Sequence, residues 1–249
     1  MDQRQIIITG GSGLLGGEMR RRLPRARFPA HDEFDVTDPA QMDAYVRAGA
    51  YRLLIHAAAM TSPPRVDADP TRAIGVNIIG TANVVKLCAA HGLRLIYVST
   101  DYVFRGDAGN YEESDPVHPV NKYAWSKLGG ECAARLYDDA LIVRTSFGPD
   151  EFPYEKAFVD QWTSRQSAGQ IAGKIAALAE TDLTGVIHVG GPRRTVLEYA
   201  RAVSPEKDIG ELSVRDVGFA VPTDTSLNCR RYDRLVAKGP AGDEEGDTR

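Results

Sequence analysis

The chain has 249 residues, of which 43% are hydrophobic and 26% are charged, with a net charge of −4. This size and composition suit a single α/β domain with a full core, and the lack of a basic cluster interleaved with aromatics predicts no nucleic-acid partner. We find no apolar stretch that approaches ~20 residues and no signal peptide before the first strand, so we expect a cytoplasmic protein with no membrane partner. The three cysteines lie far apart and predict neither a disulfide framework nor a metal site.

The first predicted element is a β-branched strand at residues 5–9, followed at once by a glycine-rich turn that opens a helix. Gly10, Gly13 and Gly16 fit the pattern G-x-x-G-x-x-G. The first glycine allows the tight turn, the second lets backbone N–H groups approach a pyrophosphate, and the third allows close packing of helix on strand. This order of strand, turn and helix predicts a dinucleotide site. Its predicted contacts are Gly10, Ser12, Gly13, Leu14, Leu15 and Gly16.

The helix that follows ends in the run Arg20, Arg21 and Arg22, the only basic run in the sequence. Cations at the last turn complement the helix dipole, and we assign the run to that structural role.

Strands and helices then alternate, which predicts a Rossmann-type α/β fold with a doubly wound parallel sheet. Strands are predicted at 25–28, 52–56, 93–99, 141–144 and 186–189, and helices at 42–48, 70–91, 122–137, 168–179 and 195–202. Gly92 is a suitable C′ residue for the helix at 70–91. The strand at 93–99 brings Ser99, Thr100 and Asp101 to the carboxyl edge of the sheet, where open α/β sheets bind ligands.

Tyr123 and Lys127 lie four residues apart on a predicted helix, so their side chains share one face. A fixed ammonium beside the phenol favours the phenolate and lowers the pKa of the tyrosine from about 10. The pair is therefore a candidate for proton transfer, although the same spacing also occurs on ordinary exposed helices.

Several motifs in fixed order resemble the extended short-chain dehydrogenases/reductases, and most of all their dTDP-4-dehydrorhamnose reductase branch. They are the turn at residues 9–16, the segments 35–38, 56–59, 76–81 and 99–104, Tyr123-x-x-x-Lys127 with Glu131, and Arg144-Thr145-Ser146. The resemblance implies an NAD(P)H-dependent reductase that acts on a keto group of a nucleotide-linked sugar or a similar substrate.

The resemblance also implies residue roles. Tyr123 is the general acid, Lys127 binds the cofactor ribose and lowers the pKa of the phenol, and Thr100 hydrogen-bonds the substrate oxygen. Thr100 could instead simply cap the next turn. Further implied cofactor contacts are His31, Asp35, Val36, Ala57, Ala58, Ala59, Asn77 and Ser99.

Two of these cofactor positions leave alternatives open. Asn77 lies inside a long helix, where it either links backbone groups to the Lys127 region or faces solvent. His31 occupies a position that is often basic in the relatives and favours NADP(H), whereas the neighbouring Asp32 favours NAD(H).

Beyond Ser146 the sequence departs from the resemblance, because the segment that closes over the sugar nucleotide is short. We predict a Rossmann core at 1–146, a reduced substrate lobe at 147–236 and a disordered tail at 237–249. The implied substrate contacts are Thr61, Asp101, Tyr102, Phe147 and Arg165. Asp101 is alternatively a turn cap, and Arg165 is either a phosphate ligand or a surface residue.

The shortened lobe leaves room for other functions. A regulatory partner protein, similar to the β subunit of methionine adenosyltransferase, would bind the cofactor without catalysis, and a sugar-nucleotide epimerase is a third option. Retention of Thr100, Tyr123 and Lys127 together favours the reductase. The resemblance also allows a homodimer, since such relatives often pair through helices.

Overall fold

The structure is a computed structural model, which describes residues 1–218 and 221–237. The strands are β1 (Ile6–Thr9), β2 (Leu53–His56), β3 (Arg94–Val98), β4 (Ala140–Thr145), β5 (Phe147–Gly148), β6 (Lys156–Phe158), β7 (Trp162–Thr163), β8 (Gln166–Ser167), β9 (Gly185–Val189), β10 (Arg194–Thr195) and β11 (Gly210–Leu212). The helices are α1 (Leu14–Arg22), α2 (Pro39–Arg47), α3 (Pro63–Ala68), α4 (Pro70–Ala73), α5 (Thr81–His91), α6 (Lys122–Ala134), α7 (Ala168–Ala179), α8 (Val196–Val203) and α9 (Arg230–Ala237).

Five strands form one parallel sheet in the order β1-β2-β3-β4-β9. Every residue of β1 to β4 is buried, as expected for parallel strands that are covered by helices on both faces. The predicted strand at 25–28 is wrong in extent, because only Arg27 pairs with β1, through a bridge to Ile7. Pro24 and Pro29 bracket this segment and cannot donate ladder hydrogen bonds.

Two hydrophobic clusters cover the two faces of the sheet. One includes Met19 of α1 and Ile171 of α7, and the other includes Met42 of α2 and Leu87 of α5. The predicted α/β arrangement is therefore the one observed. Helix α9 was not predicted, and it adds Tyr232 to the first cluster.

The helix predicted at 70–91 consists of three consecutive parts. Helix α4 continues into a π-helical turn, Ile74–Gly80, and then into α5, which ends at Gly92 in the left-handed conformation (φ 62°) as expected for a C′ glycine. By length and composition alone the stretch Pro70–His91 could span a bilayer, so the prediction that no stretch approaches that length is wrong. In this fold its second half packs on the sheet as a core helix.

The chain after β4 builds three small strand pairs, β5 with β8, β7 with β10 and β6 with β11. Helix α8 and a separate hydrophobic cluster around Phe152 and Tyr199 accompany them. The stretch at 221–229 then returns to the loop after β3, where Leu227 bridges Tyr111. Ala237 ends α9, and the rest of the predicted tail, 238–249, lies outside the described residues.

Candidate active site

The glycine turn has the geometry that the motif predicts. Gly10 lies in the left-handed region (φ 75°), and a Cβ on it would come within 2.8 Å of the Ala58 nitrogen. A Cβ on Gly16 would lie 2.2 Å from the Gly10 oxygen, so this glycine allows α1 to approach the end of β1. A Cβ on Gly13 would meet only the Gly10 oxygen, at 3.3 Å. The side of Gly13 that a side chain would occupy therefore remains open.

A cleft of about 940 Å³ runs along the carboxyl edge of the sheet. Nearly all of the predicted site residues border it: Gly10, Ser12, Gly13, Leu14, Leu15, Gly16, His31, Asp35, Val36, Ala57, Ala58, Ala59, Thr61, Ser99, Thr100, Asp101, Tyr102, Tyr123, Phe147 and Arg165. Among the described residues, Asn77 and Lys127 are the two predicted site residues that do not border the cleft. One cleft thus joins the glycine turn to the candidate acid Tyr123.

Thr9, the last residue of β1, ties the loop at residues 57–59 to the glycine turn. The Thr9 hydroxyl accepts hydrogen bonds from the backbone N–H groups of Ala57 (3.2 Å) and Ala58 (3.1 Å) and lies 2.8 Å from His56 Nδ1. Burial, together with the nearby Lys127 charge, lowers the pKa of His56 to about 3, so this imidazole is neutral. Thr9 and His56 stand in the quoted motifs, but their roles could not be predicted from the sequence because they depend on strand pairing.

Asn77 fastens the loop that follows β2. Its side-chain oxygen accepts from the Met60 N–H at 2.8 Å, and its side-chain nitrogen donates to the Met60 carbonyl oxygen at 3.0 Å. The same nitrogen donates to the Ser126 hydroxyl at 2.8 Å. The alternative in which Asn77 faces solvent is wrong, since the residue is 1% exposed. It acts as a link between the cleft wall and α6, the helix that carries Tyr123.

One end of the cleft is lined by Arg20, Phe28, His31 and Asp35. The Arg20 guanidinium stacks 4.3 Å from the ring centre of Phe28. The role predicted for this arginine, in the helix dipole alone, did not include this contact. His31 is highly exposed, and its Nε2 lies 3.6 Å from the Asp35 carboxylate. This end therefore carries the Arg20 guanidinium against an aromatic ring, with an imidazole and a carboxylate nearby.

The other end of the cleft holds Tyr123 and Thr100. Burial raises the pKa of Tyr123 above its usual value, and the Thr100 hydroxyl opposes that rise only in part. This direction is opposite to the lowering predicted from Lys127. The phenol therefore keeps its proton at neutral pH in this structure.

Lys127 is directed to the sheet rather than to the phenol. Its Nζ donates to the Val98 carbonyl oxygen at 2.8 Å and lies 4.3 Å from the ring centre of Tyr97. Burial lowers the pKa of Lys127 to about 7, although the Glu131 carboxylate raises it in part. The side chain thus changes charge near neutral pH, which the spacing of four residues alone could not reveal.

A buried ion pair supports this end of the sheet. Arg144 and Glu131, both 0% exposed, meet at 2.8 Å, and the Ser99 hydroxyl donates to the same carboxylate at 2.7 Å. Burial by itself raises the pKa of Glu131, but the hydrogen bonds from Arg144, Ser99 and Arg135 outweigh it and hold the pKa below the ordinary value. Glu131 therefore remains a carboxylate that positions β3, β4 and α6 relative to one another.

Asp101 is connected to the C-terminal part of the chain. It accepts hydrogen bonds from the Thr225 hydroxyl (2.7 Å) and the Thr100 hydroxyl (3.1 Å). Burial raises the pKa of Asp101, and these two donors counteract the rise. Thr100 also caps the following 3-10 turn by accepting from the Tyr102 N–H, so its capping and its position in the cleft coexist.

The segment after β4, which was predicted to be the substrate lobe, contributes one wall of the cleft. Arg165 is half-buried there, and its Nε donates to the Ser146 hydroxyl at 3.4 Å, so the surface alternative for this arginine is wrong. Tyr102 packs edge-on against Tyr123, with ring centres 6.4 Å apart. The residues Phe152, Pro153, Tyr154 and Tyr199, which were not predicted as contacts, also border the cleft.

Comparison with known proteins agrees with this geometry. Residues 4–170, more than half of the chain, match the family described as RmlD substrate binding domain. The chain belongs to this family. Over 87% of its length it is 35% identical to a dTDP-4-dehydrorhamnose reductase of Mycobacterium tuberculosis strain H37Rv, of which the match covers 80%. It is also 25% identical, over 93% of its length and 82% of the relative's, to methionine adenosyltransferase 2 subunit beta of Rattus norvegicus.

Solved structures give the same family. A dTDP-4-dehydrorhamnose reductase from Bacillus anthracis, in complex with NADP, superposes with a TM-score of 0.83 at 26% identity, over 94% of this chain and 92% of that one. A hypothetical dTDP-4-dehydrorhamnose reductase from Sulfolobus tokodaii gives a TM-score of 0.81 at 29% identity, over 93% and 94%. The resemblance stated from the motifs, the Rossmann-type α/β fold and the class of NAD(P)-dependent oxidoreductase are therefore confirmed.

Proposed function

We propose that the protein reduces a keto group on a nucleotide-linked sugar with NADPH or NADH, and that Tyr123 is the general acid. The observation that carries this proposal is the single cleft that joins the glycine turn to Thr100 and Tyr123. The names of the relatives support it, since one is a dTDP-4-dehydrorhamnose reductase and another binds NADP.

The glycine turn fits a dinucleotide. Gly13 is the N-cap of helix α1 and borders the cleft, and the first N–H groups of a helix have no partner within the helix. Together with the helix dipole they favour a pyrophosphate, and the open side of Gly13 leaves space for its approach. At the end of the cleft beyond β1, the Arg20 guanidinium is a cation that can bind a 2′-phosphate and the His31 imidazole can hydrogen-bond to it, which favours NADP(H).

In the proposed mechanism, reduced nicotinamide held in the cleft by the glycine turn would supply a hydride to the carbonyl carbon. Tyr123 then donates its phenolic proton to the carbonyl oxygen, and the Thr100 hydroxyl hydrogen-bonds that oxygen as charge develops on it. The raised pKa of Tyr123 keeps the acid protonated before the reaction. For Lys127 to bind the ribose and stabilise the phenolate left after the transfer, its Nζ would have to leave the Val98 carbonyl oxygen and turn toward the cleft.

The charges along the cleft favour an anionic substrate. Among the described lining residues the arginines are Arg20, Arg65, Arg72 and Arg165, and the carboxylates are Asp35 and Asp101. We assign Arg165 to a phosphate of the nucleotide-linked sugar, because it lies in the lobe wall near Tyr102. Thr61, Asp101, Tyr102 and Phe147 complete the proposed substrate contacts.

The proposal is tested by mixing the protein with NADPH and a panel of nucleotide-linked 4-keto sugars while the absorbance of the reduced nicotinamide is followed. Tyr123→Phe should slow turnover by roughly 10²- to 10⁴-fold, the usual contribution of a general acid, with NADPH affinity retained. Trp125→Phe, a change of an exposed aromatic on the same helix, is the matched control and should leave turnover unchanged. Turnover that survives Tyr123→Phe would contradict the mechanism.

A second candidate is a regulatory partner protein, which the likeness to methionine adenosyltransferase 2 subunit beta favours. Cofactor binding without turnover of any panel member would support it. An epimerase would instead convert substrate with only catalytic amounts of cofactor.

A cytoplasmic location is part of the proposal, since the three cysteines are free. The predicted homodimer is tested by light scattering.

A further inference from the structure

The last residue of β4, Thr145, has a polar atom that the fold does not use. The residue is 2% exposed and borders the cleft. Within the described residues, its hydroxyl oxygen is one of the few buried side-chain atoms that have no hydrogen-bond partner. A buried hydroxyl without a partner destabilises a folded protein, so its presence in a ligand cleft indicates a partner that arrives with the ligand.

The neighbours of Thr145 along the strand already have partners. Arg144 pairs with Glu131, and the Ser146 hydroxyl accepts from Arg165 Nε. Thr145 is thus the one residue of this strand end, in the part of the chain described, whose side chain is left for another molecule.

The sheet places Thr145 at the reacting end of the cleft. Val143 of β4 pairs with Val98 of β3, so two residues further along each strand Thr145 lies beside Thr100. Side chains alternate along a strand, which puts both threonines on the same face of the sheet as Val98 and Val143. Arg20 and Phe28 lie at the far end of the cleft, beyond β1, with β2 and β3 between.

We propose that the Thr145 hydroxyl hydrogen-bonds the carboxamide of the bound nicotinamide and so fixes the rotation of the ring. This inference rests on the proposed function. A carboxamide has both a carbonyl acceptor and an N–H donor, and a threonine hydroxyl can serve either. The phosphates and the adenosine belong near the glycine turn and Arg20, and the substrate oxygen is served by Thr100 and Tyr123. Thr145 is therefore a positioning residue for the cofactor.

The test compares Thr145→Val, which keeps the shape and removes the hydroxyl, with Thr145→Ser, which keeps the hydroxyl. The affinity for NADPH and for 2′-phospho-ADP-ribose, which is NADPH without its nicotinamide, is measured by calorimetry. The Tm is measured without ligand, and the KM of the keto substrate is measured in the turnover assay. Thr145→Val should weaken NADPH binding roughly three- to tenfold, as the loss of one neutral hydrogen bond does, with 2′-phospho-ADP-ribose affinity unchanged and a Tm equal to or above that of the wild type. Thr145→Ser should bind NADPH like the wild type.

Three results with Thr145→Val would overturn the inference. They are wild-type NADPH affinity, equal weakening of NADPH and 2′-phospho-ADP-ribose, and a change confined to the KM of the keto substrate. A fourth overturning result is a wild-type protein that binds 2′-phospho-ADP-ribose as tightly as NADPH, because the nicotinamide then adds no affinity. A wild-type protein that binds no NADPH at all would instead refute the proposed function on which the inference rests.

Discussion

Two glycines of the same turn should respond to the same substitution in opposite ways. In Gly16→Ala the new Cβ would lie 2.2 Å from the Gly10 oxygen and 2.6 Å from the Gly11 Cα, so backbone must move. Overpacking of this kind costs about 1–3 kcal/mol, which lowers the Tm by about 2–12 °C at ~2–4 °C per kcal/mol for a chain of this size. In Gly13→Ala the Cβ meets only the Gly10 oxygen at 3.3 Å. We expect its Tm to change by less than ~4 °C, because a poorer N-cap is offset by a less flexible unfolded chain.

For NADPH affinity we expect the opposite order, with the larger loss in Gly13→Ala. The Gly13→Ala methyl group would project into the space through which a pyrophosphate approaches the start of α1, so NADPH affinity should fall at least about tenfold, or about 1.4 kcal/mol. Thermal unfolding gives the stability of both variants, and fluorescence titration with NADPH gives the affinity. A Gly13→Ala protein that binds NADPH as tightly as the wild type would show that the cofactor does not contact this turn. A Gly16→Ala protein with unchanged Tm would refute the packing argument.

Three further predictions concern charges. Burial lowers the pKa of Lys127 to about 7, whereas it is ~10.4 in the unfolded chain. Between these two pH values the unfolded chain binds the extra proton, so the free energy of unfolding should rise by roughly 1.4 kcal/mol per pH unit. Lys127→Met should flatten this rise in urea denaturation, and an unchanged slope would disprove the assignment. Glu131→Gln should leave Arg144 with an uncompensated buried charge and cost about 3–5 kcal/mol, measured the same way, and a loss below 1 kcal/mol would disagree. Arg20→Ala should weaken NADPH binding roughly tenfold and leave NADH binding unchanged. The control is Arg21→Ala, which removes a side chain that pairs with Glu18 and should change the affinity for neither cofactor. If Arg20→Ala weakened both cofactors equally, Arg20 would not bind the 2′-phosphate.

Local pattern and composition were sufficient for most of the fold. The β-branched run of β1, the short apolar runs of β2 and β3, and the glycine after α5 all lie within a few residues, and these elements form where they were expected. The strand at 25–28 failed because its propensity takes no account of the flanking prolines. Helix α9 was missed, since RRYDRLVA offers one buried side chain, Tyr232, and gains stability only from packing on the sheet.

The sequence predicts those features of the site that depend on residue type. It does not predict the features that depend on the surroundings of a side chain in the folded protein. The glycine turn and the placement of Tyr123 at the cleft follow from motif and topology. The pKa values of Tyr123 and Lys127 do not, because desolvation depends on the whole surroundings and here outweighs the charge pairing that the spacing suggests. Arg20 was assigned to the helix dipole alone for a related reason, since only the folded chain brings Phe28 beneath it.

The hydrogen bond from Thr225 to Asp101 joins residues 124 positions apart in the chain. During synthesis the glycine turn and Tyr123 leave the ribosome well before Thr225, so the Rossmann strands can assemble while the carboxylate at the reacting end still lacks its partner. The wall of the cleft is therefore completed late, by a segment that must find its place on an already folded sheet. We expect refolding protein to gain cofactor affinity before it gains catalytic competence.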